Sequence, residues 1–143
     1  MIGLVLVELG AFFMAKRRML EDLERLRFLV ESLAREASST PIIVEGYRDA
    51  EALRRVGVGG EILVLKSARK LRRYLEERGS RKVILLLDFD SEGVELMAKT
   101  LRELEGAVPV IDTWYWRKFR EFKYLGLLEV EYLPAILGRL SRH

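Results

Sequence analysis

The 143-residue sequence contains no cysteine, and its single histidine is the last residue, His143. The lack of cysteine excludes a disulfide framework, a thiolate zinc site and any mechanism that needs a nucleophilic thiol. With one terminal histidine, histidine-based acid–base catalysis and a histidine-rich metal site are excluded as well. Any chemistry must therefore rest on carboxylates, hydroxyls, lysine, arginine, or a hard metal ion bound by oxygen atoms.

The sequence also lacks a hydrophobic run long enough to cross a bilayer. Residues 1–14 are nearly all apolar, but they are interrupted by Glu8 and fall short of the roughly 18–20 residues of a spanning helix. No basic region precedes them and no small-residue cleavage site follows, so a signal peptide fits badly. Three interpretations stay open: a translation start at Met14, a helix docked on the domain, or a weak interfacial anchor. We expect a cytoplasmic protein with no other membrane contact.

The composition is typical of one soluble globular domain. Half of the residues are apolar, a third are charged, and the formal net charge is +3. A chain of this length can bury roughly 70% of its unfolded surface in a single core. We divide it into an apolar segment with an amphipathic helix (1–39), a core (40–115) and a helical extension (116–143).

Hydrophobic spacing predicts an alternation of strands and helices. From residue 16 to residue 37 the apolar positions recur every three or four residues, which is typical of a helix with one buried stripe. Short apolar runs, predicted as strands, follow at 42–44, 62–65, 83–87 and 108–111. Helical spacing lies between them at 50–56, 68–78 and 93–104. From Thr113 onward we expect two short helical pieces, the second opening at Pro134.

This alternation predicts a Rossmann-like α/β domain. Uniformly apolar strands should be buried on both faces, as in a parallel sheet with helices on both sides. Pro109 cannot donate to a strand ladder, so the fourth strand belongs at a sheet edge. Right-handed crossovers then give a four-stranded parallel sheet, and with the first and third strands as neighbours its order is 2-1-3-4.

Acidic residues follow the first and third strands, where ligands bind in such sheets. Glu45 and Gly46 follow the first strand; Asp88, Asp90 and Gly93 follow the third. Neighbouring strands are about 4.8 Å apart, so one small cation could bridge Glu45, Asp88 and Asp90. Mg²⁺, with Mn²⁺ as a substitute, is the natural occupant of an oxygen-only site. The two glycines let the backbone turn sharply and let a phosphate approach.

A simpler interpretation is that such side chains only cap the following helices, as Asp49 or Ser91 could do. The combination is more specific: Glu45-Gly46-x-x-Asp49 with Asp88-x-Asp90-x-x-Gly93 resembles the signature of the Toprim domain, over roughly residues 40–115. Small stand-alone archaeal Toprim proteins, described as primase-like or 5S-rRNA-maturase-like, are the most similar in length. The resemblance implies a four-stranded parallel core with a Mg²⁺ site.

Within that family pattern each acidic residue has an implied role. Glu45 would be the general acid/base beside the metal, Asp88 and Asp90 metal ligands, and Asp49 a ligand of a second metal. Some members place a basic residue directly after the motif's glycine, where this chain has Val94. The chain is too short for a strand-passing tyrosine domain, and it lacks a cysteine zinc module and a P-loop.

Positive charge is concentrated in one segment of the chain. Residues 66–82 have a net charge of +6 within a protein of net charge +3, which suits binding of a polyanion but is also typical of a solvated helix face. A second basic segment, 114–124, is rich in aromatic residues, most of which should pack in the core, with Trp114 or Trp116 as candidates for base stacking. The predicted nucleic-acid contacts are Arg48, Lys66, Arg69, Lys70, Arg73, Arg117 and Lys118.

These patterns lead to the hypothesis of a Mg²⁺-dependent nuclease acting on nucleic acid, with RNA as the expected substrate. The alternative is a non-catalytic nucleic-acid-binding module of an RNA-processing or ribosomal assembly. A third interpretation is a phosphate-ester hydrolase of the haloacid dehalogenase type, whose site also opens with DxD. That motif normally follows the first strand of its family, whereas Asp88 follows the third strand here.

Overall fold

The computed structural model describes residues 2–142, and the strands form one parallel sheet in the order β2-β1-β3-β4. The strands are β1 (Ile42–Val44), β2 (Ile62–Val64), β3 (Lys82–Leu85) and β4 (Val110–Asp112). The helices are α1 (Ile2–Ala37), α2 (Tyr47–Arg55), α3 (Ala68–Arg78), α4 (Ser91–Leu104), α5 (Trp114–Arg120) and α6 (Leu133–Leu137). This confirms the predicted α/β class and the predicted strand order.

The centre and the edges of the sheet differ in burial. β1 is fully buried, and so is the apolar run from Val83 to Leu87 that includes most of β3. β4 lies at one edge, as Pro109 predicts. β2 lies at the other edge and its residues are only partly buried, so the prediction that every strand is covered on both faces is wrong there.

Local capping explains where the crossover helices begin and end. The Ser67 hydroxyl accepts the N–H of Lys70 at 3.3 Å and caps α3, which ends at Gly79 in the left-handed conformation (φ +62°). α2 begins at Tyr47, three residues before the predicted start, because the Asp49 carboxylate accepts the Gly46 N–H and closes the first turn.

The long helix α1 has two different halves. The predicted stripe is confirmed: Leu23, Leu26, Val30, Leu33 and Ala37 are all buried against the domain. Residues 2–18 are exposed, and their apolar side chains contact no part of the described core. The interpretation of residues 2–14 as a docked helix is therefore wrong, and Met1 lies outside the described residues. Within residues 2–142, no helix is both long and apolar enough to cross a bilayer.

The segment after β4 is more broken than predicted. Besides α5 and α6 it contains three single 3₁₀ turns, at Lys123–Leu125, Val130–Tyr132 and Leu140–Arg142. Pro134 lies in the first turn of α6, where its missing N–H costs nothing. The turn at Val130–Tyr132 packs on α2, and α5 packs on α1. The tail reaches the sheet's carboxyl edge at Val130 and Glu131, whose N–H groups donate to Asp88 and Asp49. His143 is outside the described residues.

Candidate metal-binding site

The sheet brings Glu45 and the loop after β3 together. β1 and β3 pair in register with Ile43 opposite Leu85, and continuing that register places Glu45 opposite Leu87. The Glu45 carboxylate accepts the backbone N–H of Asp88 at 3.3 Å (Oε1 to N). Two residues separated by 43 positions in the chain thus meet at the carboxyl edge of the sheet, where ligands bind in this type of fold.

Asp88 is a buried carboxylate with only 3% of its surface exposed. Its Oδ1 accepts the N–H of Val130 at 3.0 Å, and its backbone carbonyl accepts the indole N–H of Trp116 at 3.2 Å. Burial is the main cause that raises the pKa of Asp88 to about 8; the neighbouring carboxylates of Asp49, Glu45 and Glu129 contribute to this rise, and the Val130 N–H opposes it. The site therefore concentrates negative potential at a group that resists ionisation.

Asp49 is the second buried carboxylate at this edge. Its Oδ2 accepts the Gly46 N–H at 3.0 Å and its Oδ1 accepts the Glu131 N–H at 2.9 Å. Burial raises the pKa of Asp49 to about 6, helped by the charges of Glu131 and Glu45 and opposed by the two N–H donors. Asp49 thus joins the loop after β1 to the tail, a structural task in addition to any ligand role.

Asp90 caps α4, since its Oδ1 accepts the Gly93 N–H at 2.8 Å. Gly93 is required by packing: a Cβ there would lie 2.1 Å from the carbonyl oxygen of Asp88. Gly46 has an extended backbone, and the nearest atom to a Cβ there would be Asp49 Oδ2 at an ordinary 3.7 Å. Neither strain nor packing requires glycine at 46, so its missing side chain only leaves space beside Glu45.

The chemistry of the donors fits a hard divalent cation. Every candidate ligand is a carboxylate, and Asp88 is buried beside like charges that a cation would neutralise. The nearest atom to a Cβ at Gly46 would be a carboxylate oxygen of Asp49. Within the described part of the chain, however, no three acidic side chains are already arranged as a closed ligand set. Side-chain rotation at Glu45 and Asp90, both only partly buried, would be needed to complete one.

The tail supplies site residues that sequence reasoning missed. The backbone N–H groups of Val130 and Glu131 bind the two buried aspartates, and Phe89 N–H donates to the Leu128 carbonyl at 2.8 Å. Glu129 adds a carboxylate near Asp88. No motif marks these positions, because in all three hydrogen bonds the tail contributes a backbone group, two N–H groups and one carbonyl, that does not depend on the side chain.

The basic residues of segment 66–82 include predicted nucleic-acid contacts and residues with structural partners. Lys66, Arg69, Lys70 and Arg73 are exposed and, within residues 2–142, form no ion pair. By contrast, Arg72 donates to the Glu103 carbonyl and pairs with Glu76. Arg78 pairs with Glu61, and Lys82 Nζ lies 3.5 Å from Glu36. The positive surface of α3 is therefore smaller than the sequence predicts, and its unpaired part begins at Lys66 on the carboxyl edge.

The other predicted contacts lie on either side of the site. Arg48 is exposed on α2 and lines a cleft of about 300 Å³ together with Glu131. Arg117 is exposed and Lys118 half-buried on α5, where Lys118 Nζ lies 5.8 Å from the centre of the Trp114 ring. Trp116 is buried, as are Tyr115 and Phe119 of the same helix, whereas Trp114 is 44% exposed. Only Trp114 of that pair is accessible for base stacking.

The fold and the acidic edge define a class: α/β domains with a parallel 2-1-3-4 sheet and carboxylates gathered after its two central strands. The Toprim domain matches residues 39–111, and the chain belongs to the Toprim family. Membership indicates metal-dependent nucleic-acid processing in general, and Toprim domains generally bind Mg²⁺ through acidic residues.

The relatives are small archaeal proteins of the UPF0292 group. The UPF0292 protein TV1259 of Thermoplasma volcanium is 36% identical over 73% of this chain and 88% of its own length. TK1411 of Thermococcus kodakarensis is 33% identical, covering 84% of this chain and 89% of its own. A solved structure of a protein from Aquifex aeolicus superposes with a TM-score of 0.60 at 25% identity, covering 72% of this chain and 93% of that one.

Proposed function

We propose that this protein cleaves RNA phosphodiester bonds at a Mg²⁺ site formed by Glu45, Asp88 and Asp90, with Asp49 beside it. The observation that supports this most directly is the contact between the Glu45 carboxylate and the Asp88 N–H, which puts the two halves of the family motif at one point. The raised pKa of Asp88, caused by burial and by three carboxylate neighbours, explains why a divalent cation would bind there.

The chain's own residues have distinct tasks in this proposal. Asp88 and Asp90 would hold the ion, which when bound polarises the scissile phosphate and lowers the pKa of a water molecule. Glu45, half-buried at the mouth of the site, would accept the proton of the attacking water and return it to the leaving oxygen. The unpaired cations Lys66, Arg69 and the exposed Arg48 would hold phosphates on the two sides of that point.

The test uses variants that keep every hydrogen bond observed at the site. In Asp88→Asn and Glu45→Gln the amide oxygen can still accept the Val130 and Asp88 N–H groups, and in Asp90→Asn it can still cap α4. We expect the parent protein to cut end-labelled structured RNA with Mg²⁺ or Mn²⁺, and each variant to lose at least about a hundredfold in rate. Glu95→Gln, an exposed carboxylate on α4, is the matched control and should cut like the parent.

A second function, nucleic-acid binding without cleavage, is favoured by a different observation. Backbone N–H groups already bind Asp49, Asp88 and Asp90, and within residues 2–142 no closed ligand set exists. If the parent protein retains labelled RNA with Mn²⁺ but does not cut it, this second function is correct. If Asp88→Asn cuts as fast as the parent protein, the proposed catalytic site is wrong.

A further inference from the structure

A cleft of about 310 Å³ lies between the edge strand β2 and helix α3, outside the carboxylate site. Apolar side chains of Leu63, Val64 and Leu71 line it, together with Lys66, Lys70 and Tyr74. The volume is at the lower end of the range for small-ligand pockets, and the combination of an apolar lining with a few polar groups is typical of such pockets. The cleft therefore has the size and the surface to hold one planar ring.

The cleft opens toward the acidic edge of the sheet. β1 and β2 pair in register with Val44 opposite Val64, so Lys66, two residues further on, is level with Gly46. Lys66 Nζ lies 5.6 Å from the centre of the Tyr47 ring, and Tyr47 is 70% exposed. A nucleic-acid strand that runs from the carboxylates past Gly46 and Tyr47 would thus reach Lys66 at the rim of the cleft.

One wall of the cleft is held in place by its own contacts. The Arg78 guanidinium lies 5.0 Å from the centre of the Tyr74 ring and donates to its hydroxyl, while Glu61 pairs with Arg78. Tyr74 is 41% exposed despite these contacts. An aromatic ring fixed in this way loses little conformational freedom when a second ring stacks on it, which favours binding.

The charges at the rim select the occupant. Lys66 and Lys70 are exposed and pair with no carboxylate among residues 2–142, so both remain available to an anion. A polyanion with planar apolar rings fits both features of the cleft, its apolar lining and its two unpaired lysines.

We propose that this cleft binds one unpaired nucleobase of a single-stranded segment, stacked on Tyr74, with the flanking phosphates on Lys66 and Lys70. Tyr47 would support the next base on the path toward the carboxylates. The inference rests on the proposed function, because it takes nucleic acid as the substrate, and it adds the substrate class: a strand that is unpaired beside the cleavage point.

Binding without cleavage tests this subsite. Fluorescence anisotropy in EDTA would compare a labelled single-stranded RNA of ten nucleotides with a strand of equal length made of abasic residues. We expect the parent protein to prefer the base-containing strand by about tenfold, and Tyr74→Ala to abolish that preference. Tyr74→Phe, which keeps the ring and loses only the hydroxyl, should retain it.

A lysine variant separates phosphate contacts from base contacts. Lys70→Ala should weaken binding of both strands alike and reduce the slope of log affinity against log salt by about 0.7, the value for one phosphate contact on a single strand. Lys99→Ala, which removes an exposed lysine from α4, is the matched control and should leave the slope unchanged. A 4-thiouridine strand should crosslink within residues 63–74, a result that does not depend on whether a variant folds.

The outcomes distinguish this inference from the proposed function. If the parent protein binds both strands equally, or crosslinks only outside residues 63–74, the base subsite is wrong even where Mn²⁺-dependent cleavage is observed. If the preference and the crosslink are found but no RNA is cut, the subsite is supported and the catalytic proposal fails. If no single strand binds at all, the base subsite is overturned. The proposed carboxylate site is then tested only by the cleavage assay with structured RNA.

Discussion

Replacing Asp88 by asparagine should stabilise the metal-free protein at alkaline pH. Asp88 has an ordinary pKa of 3.8 and a pKa of about 8 in the folded protein, with burial as the main cause. The folded state therefore keeps a proton that the unfolded state releases above pH 4, and the free energy of unfolding falls as the pH rises from about 4 to about 8. Asparagine removes that pH dependence and can still accept the Val130 N–H.

The size of the effect follows from the shift of the pKa. At pH 7 the solution is about three units above the ordinary pKa, and each unit is worth about 1.4 kcal/mol, so the ceiling is about 4 kcal/mol. Neighbouring carboxylates that share protons with Asp88 lower this ceiling. We therefore expect Asp88→Asn to raise the free energy of unfolding by about 2 kcal/mol. For a chain of this size that corresponds to a rise in Tm of about 4–8 °C.

Thermal unfolding in EDTA, followed by circular dichroism at pH 5 and pH 8, measures this gain. Asp88→Asn should melt above the parent protein at pH 8 and close to it at pH 5, while the exposed control Glu95→Gln should follow the parent at both. Mg²⁺ should raise the Tm of the parent protein and leave that of Asp88→Asn nearly unchanged. An Asp88→Asn protein that melts at or below the parent at pH 8 would refute the assignment of Asp88 as a buried carboxylate whose pKa is raised.

Three further predictions concern other parts of the site and core. Gly93→Ala should lower the free energy of unfolding by more than 2 kcal/mol in urea titrations, because its Cβ would lie 2.1 Å from the Asp88 carbonyl oxygen, whereas Gly59→Ala, with open space around it, should change little. Leu33→Ala on the buried stripe of α1 should cost about 2–5 kcal/mol, and Leu4→Ala, 67% exposed, less than about 0.5 kcal/mol in the same titration. Mn²⁺ affinity, measured by calorimetry, should increase from pH 6 to pH 8.5 with release of protons, since the cation competes with the proton on Asp88; a flat profile would contradict this.

Much of the fold could be predicted because its signals are local. A buried strand needs a run of apolar residues, and a helix needs apolar residues every three or four positions, so 42–44 and 68–78 could be assigned without knowing their neighbours. The rules for crossovers predict a parallel sheet, and the order 2-1-3-4 follows once the first and third strands are taken as neighbours. The start of α2 was misplaced by three residues because its first turn is closed by the Asp49 side chain, a contact that apolar spacing does not report.

The candidate site was predictable only in its acidic half. Glu45 and Asp88 follow apolar strands that are neighbours in the expected order 2-1-3-4, so their approach could be expected from the sequence. From the sequence, exposed cations could not be distinguished from cations with structural roles. Arg72 is an example, because it donates to two carbonyl groups 31 and 33 residues away.

The sequence by itself determined which side-chain types are available for catalysis or metal binding. It also determined the alternation of strands and helices and the positions of the carboxylates at the strand ends. Only the tertiary structure decided that Asp88 and Asp49 are buried beneath a tail whose N–H groups arrive from 42 and 82 residues away. It also decided that β2 is an open edge beside α3. The physical reason is that side-chain type and spacing are encoded residue by residue, whereas burial, pKa and clefts depend on which distant segments exclude water from the same place.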